Sequence, residues 1–134
     1  MNKEWLNVRE FHQKFGQPVQ DKPVFLSKER AKIRSKWMYE EIDEFVEAAD
    51  IVEQVDAMID LIYFALGTMV EIGVTPDAVF NIVHEANMSK LWDDGKPHYN
   101  ADGKTVKPEN WKTPYPKIKK EIEDSQRKET RKAD

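Results

Sequence analysis

The chain has 134 residues, of which 40% are hydrophobic, contains no cysteine, and carries a net charge of −4 at neutral pH. This composition is typical of one globular domain and excludes a disordered chain, a disulfide framework, a thiolate zinc site and a cysteine nucleophile. No signal-peptide core is present, and no apolar run reaches the roughly 20 residues of a membrane helix, so we expect a soluble cytoplasmic protein with no membrane partner.

The charge is distributed unevenly along the chain. Between Trp37 and Ser89 there are 12 acidic residues and no lysine or arginine, whereas the remainder holds 13 acids and 21 bases. An acidic block between basic flanks indicates a cation site beside an anion site, and not a nucleic-acid surface. Alternatively, the basic flanks only neutralise the charge of the acidic block, and the composition fits this interpretation equally well.

The first two predicted helices follow from apolar spacing and capping residues. Trp5 begins a helical apolar pattern that predicts a helix over about residues 3–14, which Gly16 ends. Ser27 is a plausible N-cap for a second helix over about residues 28–49.

Two further helices complete the predicted bundle. The third runs over about residues 51–72, with Gly73 as its C-cap, and the fourth begins at Pro76 and ends near Leu91. We therefore expect an all-α fold, an antiparallel bundle of about four core helices that assembles as an oligomer.

The C-terminal part of the chain differs in composition. Residues 92–116 are rich in Gly, Pro and Lys and form a predicted loop, in which "NADGK" indicates a tight turn at the tip of a small hairpin. Residues 117–134 are almost all charged and form a predicted helix or tail. We therefore expect one domain over residues 1–116 followed by this charged segment.

The second predicted helix carries acids inside its apolar stripe. At about 100° per residue, Glu44 falls between Ile33 and Trp37, and Glu41 falls between Ala48 and Phe45. Glu40 lies at the edge of the stripe. A surface helix normally keeps its acids on the opposite side, so these positions are unusual.

The third predicted helix has one polar strip, and that strip is acidic. Glu53, Asp56 and Asp60 share it, while apolar residues cover most of the remaining circumference and indicate a largely buried helix. A short turn around Asp50 predicts that the second and third helices pack antiparallel, so that their acids can face each other. Alternatively, the acids of the third helix form its solvent face.

Facing carboxylates must bind protons or cations, because they repel one another. Oxygen ligands without His or Cys suit Mg²⁺, with Mn²⁺ as a substitute. A ferritin-like di-iron bundle requires Glu-x-x-His pairs, and here Glu44 and Asp56 stand where those histidines would be.

Amide and basic side chains follow the acidic block. Asn87 and Lys90 are spaced for one helical face, and Lys96, Lys104 and Lys107 follow on the predicted loop. Such groups suit phosphate oxygens, although each is also common at a helix end or surface. Because the chain has no Walker loop, phosphate would be bound through metal and side chains.

The motifs resemble those of a known superfamily. "EEIDE" and "EQVD" give Glu41-x-x-Glu44 and Glu53-x-x-Asp56 on consecutive helices, followed by "NMSKL", "DGKP" and "DGK". This combination resembles the all-α nucleoside triphosphate pyrophosphohydrolases, which include MazG-like and dimeric dUTPase-like proteins. It is most similar to the phosphoribosyl-ATP pyrophosphohydrolase-like branch, over about residues 35–116.

The resemblance implies Mg²⁺-dependent cleavage of a nucleoside triphosphate or related nucleotide between its α and β phosphates. The implied metal ligands are Glu41, Glu44, Glu53 and Asp56. Glu40 is a candidate for orienting the attacking water or binding a further metal, and Glu40 and Glu41 are the candidate catalytic residues. The superfamily builds its core from two subunits, which implies a homo-oligomer, either a dimer or a tetramer.

The remaining candidates concern the substrate. Asp60, Asn87, Lys90, Lys104 and Lys107 are candidate substrate contacts, and the resemblance leaves the base and sugar open. The candidates for stacking on a base are Trp37, Tyr63 and Trp92, for which a core or interface position is the more frequent role. Two other functions fit the sequence: a helical interaction module that binds a basic partner through its acidic face, and a nucleotide sensor without turnover.

Overall fold

The computed structural model describes residues 1–133, and their side chains over residues 1–127. Five helices account for most of this part, and the prediction of an all-α fold is confirmed. They are α1 (Asn2–Phe15), α2 (Lys28–Glu47), α3 (Ile51–Ile72), α4 (Pro76–Met88) and α5 (Tyr115–Ala133), with an antiparallel pair of short strands, β1 (His98–Tyr99) and β2 (Thr105–Val106).

Two helices end slightly before their predicted ends. Helix α2 ends at Glu47 rather than at residue 49, because Ala48 adopts an extended conformation before the next cap. Helix α4 ends at Met88 rather than near Leu91, and the Ser89 hydroxyl donates to the Ala86 carbonyl there at 2.7 Å. A side chain that bonds to the backbone in this way competes with continuation of the helix.

A capping box forms the turn between α2 and α3. The Asp50 carboxylate accepts from the Glu53 amide at 2.9 Å, and Glu53 Oε2 accepts from the Ala49 amide at 2.7 Å. This reciprocal pair satisfies amide groups that the start of a helix otherwise leaves unbonded. Contacts join the start of α2 to the end of α3, as between Arg30 and Glu71, so the two helices run antiparallel.

The loop over residues 17–27, which connects α1 to α2, packs against the C-terminal end of α3. The Gln20 and Val24 amides donate to carbonyls of α3 at 3.2 and 2.8 Å. Gly73 ends α3 with a φ of 80°, and a Cβ at this position would collide with the Lys22 carbonyl. Glycine is therefore required here both by its backbone conformation and by the close approach of the loop.

The hydrophobic core lies between α1 and α3. Its buried members are Trp5 and Val8 of α1 and Leu66 and Val70 of α3. Among the described residues, no single helix is both long and apolar enough to cross a membrane, and α3 and α4 satisfy that criterion only as a bent pair.

In a single chain α3 is much less buried than its apolar periodicity predicts. Several of its large apolar side chains are exposed, namely Ile51, Val52, Val55, Ile59 and Ile62. On α2, Ile33 is 43% exposed whereas Arg34 is 3% exposed, so the predicted apolar stripe is wrong at its N-terminal end. Apolar helix faces of this extent are typical of protein interfaces.

Candidate active site

Four carboxylates lie close together where α2 packs on α3. Glu41 and Glu44 come from α2 and Asp56 and Asp60 from α3, and we call this group the acidic cluster. Burial raises the pKa of Glu41 to about 7, with further contributions from a hydrogen bond and charge repulsion by Glu44 and from the charges of Asp60 and Asp56. The acids of the two helices are thus close enough to repel one another.

The acidic cluster leaves one buried oxygen without a partner. Glu41 Oε2 is inaccessible to solvent and accepts no hydrogen bond within the described part of the chain. Burial also raises the pKa of Asp60, with the charges of Asp56 and Glu44 adding to the effect. A buried oxygen without a donor is costly, so this position favours a proton or a cation.

The donor set of the acidic cluster fits a hard divalent cation. All its candidate ligand atoms are carboxylate oxygens, which are the ligands that Mg²⁺ and Mn²⁺ prefer. Within residues 1–127, however, no three acidic or histidine side chains converge in a geometry that could hold a metal ion. The structure therefore brings suitable residues together but does not arrange them as a closed coordination sphere.

Glu53 and Glu40 do not contribute to the raised pKa values of the acidic cluster. Glu53 is exposed and bonds to the Ala49 amide in the capping box, so one of its two carboxylate oxygens is already used. Glu40 is also exposed, and it makes no hydrogen bond or ion pair within residues 1–127. The sequence motif alone places these two residues in the site.

The predicted phosphate contacts lie on α4 and the following loop. Asn87 is exposed near the end of α4, and Lys90 lies in the turn after the helix, where its amide donates to the Asn87 carbonyl at 3.1 Å. The ammonium groups of Lys90 and Lys107 lie 5.5 and 5.0 Å from the centre of the Trp111 ring. Such cation–π contacts hold both ammonium groups close to this ring.

The predicted hairpin is confirmed, because β1 and β2 pair antiparallel, and Lys104 lies beside its tip. Its amide donates to Asn100 Oδ1 at 3.0 Å, and Gly103 occupies the left-handed conformation in the turn. Within residues 1–127 no hydrogen bond or ion pair joins Lys90, Lys104 or Lys107 to the acidic cluster.

Sequence reasoning missed an ionic group between α2 and α3, formed by Arg30, Arg34 and Glu71, which we call the arginine network. Arg30 Nε and Arg34 Nη1 contact the Glu71 carboxylate at 2.7 and 3.0 Å, and Glu71 is 1% exposed. Arg34 also donates to Thr68 Oγ1 at 3.1 Å and to the Phe64 carbonyl at 2.7 Å. Burial lowers the pKa of Arg34, although Glu71 opposes this effect.

A small aromatic cavity lies beside the arginine network, from which Arg34 contributes to its lining. Its volume is about 190 Å³, and we call it the aromatic cavity; it is lined by Phe11, His12, Gln17, Arg34, Trp37, Tyr63 and Phe64. Of the three aromatic residues that the sequence suggested for base stacking, Trp37 and Tyr63 line it. Trp92 instead stacks on His98, with ring centroids 4.2 Å apart.

Gly67 allows α1, α2 and α3 to meet behind this cavity. A Cβ at this position would lie 2.5 Å from Arg34 Nη2 and 2.8 Å from His12 Nε2. Both distances are shorter than any ordinary contact, so a larger residue would displace one of these side chains. A glycine within a helix costs roughly 1 kcal/mol relative to alanine, and here it provides the space for the arginine network.

The helical fold, the carboxylates of α2 and α3 and the comparisons with known proteins together assign the chain to the all-α nucleotide pyrophosphohydrolases. A solved structure described as a "putative NTP pyrophosphohydrolase" from Exiguobacterium sp. 255-15 is similar, with a TM-score of 0.53 and 27% sequence identity. The match covers 94% of this chain and 97% of that one.

The family assignment rests on the sequence. Residues 8–87 match the phosphoribosyl-ATP pyrophosphohydrolase family, and the chain belongs to that family. No curated protein matches the chain. The resemblance to the pyrophosphohydrolase superfamily is confirmed, and the chain is a hydrolase of pyrophosphate bonds.

Proposed function

We propose that this protein is a Mg²⁺-dependent nucleoside triphosphate pyrophosphohydrolase that cleaves between the α and β phosphates. The products are a nucleoside monophosphate and pyrophosphate. The observation that carries the proposal is the acidic cluster, in which the buried Glu41 oxygen has no partner in the described chain. Family membership supports the reaction class, and the absence of histidine and cysteine ligands supports the choice of metal.

Glu41, Glu44, Glu53 and Asp56 are the residues that would hold Mg²⁺, for which Mn²⁺ could substitute. When bound, the metal neutralises polyphosphate charge and makes water a better nucleophile. Glu53 differs from the other three because one of its oxygens serves the capping box. Its other oxygen is available without loss of the cap.

The protein's own carboxylates position and deprotonate the attacking water. Glu40 and Glu41 are the candidates for accepting its proton, and in the metal-free protein burial, more than the neighbouring charges, raises the pKa of Glu41 to about 7. Glu40 is exposed beside Glu41 in sequence and orients the water or binds a further metal. Asp60 is the acidic-cluster residue nearest along α3 to the aromatic cavity, where it would contact the substrate.

The substrate contacts from α4 and the loop could come from a second copy of the chain. Asn87, Lys90, Lys104 and Lys107 suit phosphate or sugar, but their contacts within the described chain do not join them to the acidic cluster. A homo-oligomer would cover the exposed apolar side chains of α3 and could supply these groups from a neighbouring subunit. We propose a dimer or tetramer, with no nucleic-acid or membrane partner.

A direct assay tests the proposed reaction. The purified protein, incubated with a panel of common NTPs and dNTPs and Mg²⁺, is expected to release pyrophosphate and the matching monophosphate, and to lose this activity with EDTA. Release of orthophosphate instead would indicate cleavage at another bond. Failure to release pyrophosphate from any member of the panel would contradict the proposal.

We expect the metal-free protein to lose stability as the pH rises from about 5 to 7.5. The pKa of Glu41 is raised from its ordinary value of 4.5 to about 7, so the folded chain binds this proton more tightly than the unfolded chain. The stabilisation is complete below pH 4.5 and is lost as the pH rises through 7. Allowing for solvent screening, we expect a loss of about 1 kcal/mol.

Urea denaturation in EDTA at several pH values measures this effect. Glu41→Gln removes the titrating group, so its stability should change less over the same pH range. Mg²⁺ added at pH 7.5 should increase the free energy of unfolding of the wild-type protein, and it should increase that of the variant by less. Equal pH dependence of the two proteins would contradict the assignment.

A further inference from the structure

We propose that Trp111 is a positioning residue for the phosphates of the substrate, because its ring holds the ammonium groups of Lys90 and Lys107 together as one anion-binding pair. The inference rests on the proposed function, since it explains how two of the candidate phosphate contacts are arranged. It concerns a residue that no motif in the sequence singled out.

Two lysines that are distant in sequence meet at one ring. Lys90 lies in the turn after α4 and Lys107 follows β2, yet their ammonium nitrogens lie 5.5 and 5.0 Å from the centre of the Trp111 ring. Both distances are within the roughly 6 Å over which an aromatic ring attracts a cation. Trp111 is therefore the side chain that joins the charge at the helix end to the charge of the loop.

The two ammonium groups have no carboxylate to balance them. Within residues 1–127 neither group makes an ion pair or a hydrogen bond, and Lys90 is partly buried. Two like charges at one ring repel each other, and an anion that contacts both removes this repulsion. A polyphosphate chain can do so, because it carries negatively charged oxygens on successive phosphorus atoms.

Two hydrogen bonds fix the position of the ring. Trp111 Nε1 donates to the Ala86 carbonyl at 2.8 Å, and the Trp111 amide donates to the Pro108 carbonyl at 3.0 Å. The indole has one side-chain donor, so its use on α4 sets the orientation of the ring. Ala86 directly precedes Asn87, so the ring is attached to α4 next to a further candidate phosphate contact.

Fixed cations bind an anion more tightly than mobile cations do. A lysine side chain has many rotamers, and holding it in one of them costs conformational entropy. Contact with a fixed ring supplies part of this order before the substrate binds, which is the general benefit of preorganisation. Trp111 thus increases the affinity for phosphate without contacting the phosphate.

Inorganic tripolyphosphate is the probe, since it has the charges of the substrate's phosphate chain and no nucleoside. Calorimetry with the full chain and Mg²⁺ measures its binding. Trp111→Leu removes the ring, and we expect the dissociation constant to rise about three- to tenfold, because two cation–π contacts are lost. Trp111→Phe keeps a ring and loses only the hydrogen bond to Ala86, so its effect should be smaller.

A double-mutant cycle shows whether Trp111 acts through the lysines. In a chain with Lys90→Gln and Lys107→Gln, Trp111→Leu should change the dissociation constant by less than about twofold, because no ammonium group is left to position. A purely structural role for the ring would weaken binding equally in both backgrounds. The urea denaturation midpoint of each variant shows whether the chain remains folded.

Tyr99→Leu is the matched control. Tyr99 is an exposed aromatic residue of β1, and no lysine lies over its ring within residues 1–127. Its loss should change the dissociation constant by less than about twofold, as expected for a surface substitution. Salt gives a second readout, since the difference between wild type and Trp111→Leu should shrink between about 0.1 and 1 M salt, where charges are screened.

Three results would overturn the inference: no binding of tripolyphosphate by the wild type, equal binding by wild type and Trp111→Leu, or equal losses in both lysine backgrounds. Weaker binding of a nucleoside monophosphate alone, with tripolyphosphate unaffected, would show that the ring stacks on the base and would overturn it as well.

The proposed function fails separately. If no nucleotide yields pyrophosphate, the reaction assigned above is wrong. The tripolyphosphate cycle requires no turnover, so it still decides whether Trp111 positions the two lysines. If nucleotides are cleaved and the cycle shows no coupling, the reaction stands and the role of Trp111 is wrong.

Discussion

Replacing Glu41 with glutamine is expected to reduce pyrophosphate release by about 10²–10⁴-fold, the usual contribution of a positioned general base. Glu41 is the centre of the acidic cluster, and its buried oxygen has no partner within the described chain. Glutamine has nearly the same shape but cannot accept a proton from water and is a weaker ligand for a divalent cation. The measurement is the rate of pyrophosphate release at saturating Mg²⁺ and nucleotide.

Glu47→Gln is the matched control. Glu47 lies on the same helix, is exposed, and has no ion pair or hydrogen bond within residues 1–127. Its rate should remain within about twofold of the wild type, as expected for a surface substitution. Circular dichroism should show both variants folded, since neither removes a packed apolar group. Normal turnover by Glu41→Gln would show that the chemistry lies elsewhere.

Replacing Arg34 with methionine is expected to reduce the free energy of unfolding by about 3–5 kcal/mol, as is typical when one partner of a buried ion pair is removed. Arg34 and Glu71 are 3% and 1% exposed, and their contact is 3.0 Å long. Methionine fills much of the volume but leaves a Glu71 oxygen and the Phe64 carbonyl without this donor. Urea denaturation monitored by circular dichroism measures the loss.

Arg9→Met makes the same change in an exposed ion pair. Arg9 contacts Asp21 at 2.6 Å, but the Asp21 side chain is 77% exposed, so the expected loss is below about 1 kcal/mol. A second comparison is the double variant with Glu71→Leu, which removes the unpaired charge and should recover part of the stability lost in Arg34→Met. Equal losses for Arg34→Met and Arg9→Met would contradict the role of the arginine network.

The sequence predicted the helices well because their ends carry local signals. Ser27 caps α2 as expected, with its hydroxyl accepting from the Arg30 amide at 3.1 Å, and Gly73 ends α3 in the left-handed conformation. The end of α4 was predicted less well, because no glycine or proline lies close behind Met88. Ends without such residues depend on contacts distant in sequence.

The acidic positions on α2 and α3 were predicted in part. Periodicity placed Glu41 and Asp60 on facing sides of the two helices, and the raised pKa of Glu41 supports that arrangement. The same periodicity could not show that Glu53 bonds to the Ala49 amide. Its spacing from Asp50 fits a capping box as well as a metal site, and spacing alone does not separate the two.

The arginine network escaped prediction because charged residues are normally assigned to the surface. Arg34 lies in a strongly basic segment, and nothing in that segment indicates which base is buried. Glu71 carried a stronger signal, since it is an isolated acid in the apolar C-terminal half of α3. An acid in that position needs a buried cation from another element.

The exposed apolar side of α3 has a consequence for how the protein should be handled. The buried core consists of few side chains, and residues such as Val52 and Ile59 are exposed to water. The chain therefore gains much of its folding free energy from self-association when the proposed oligomer forms. Its melting temperature should then rise with protein concentration. Assays at nanomolar dilution would consequently measure dissociation together with catalysis.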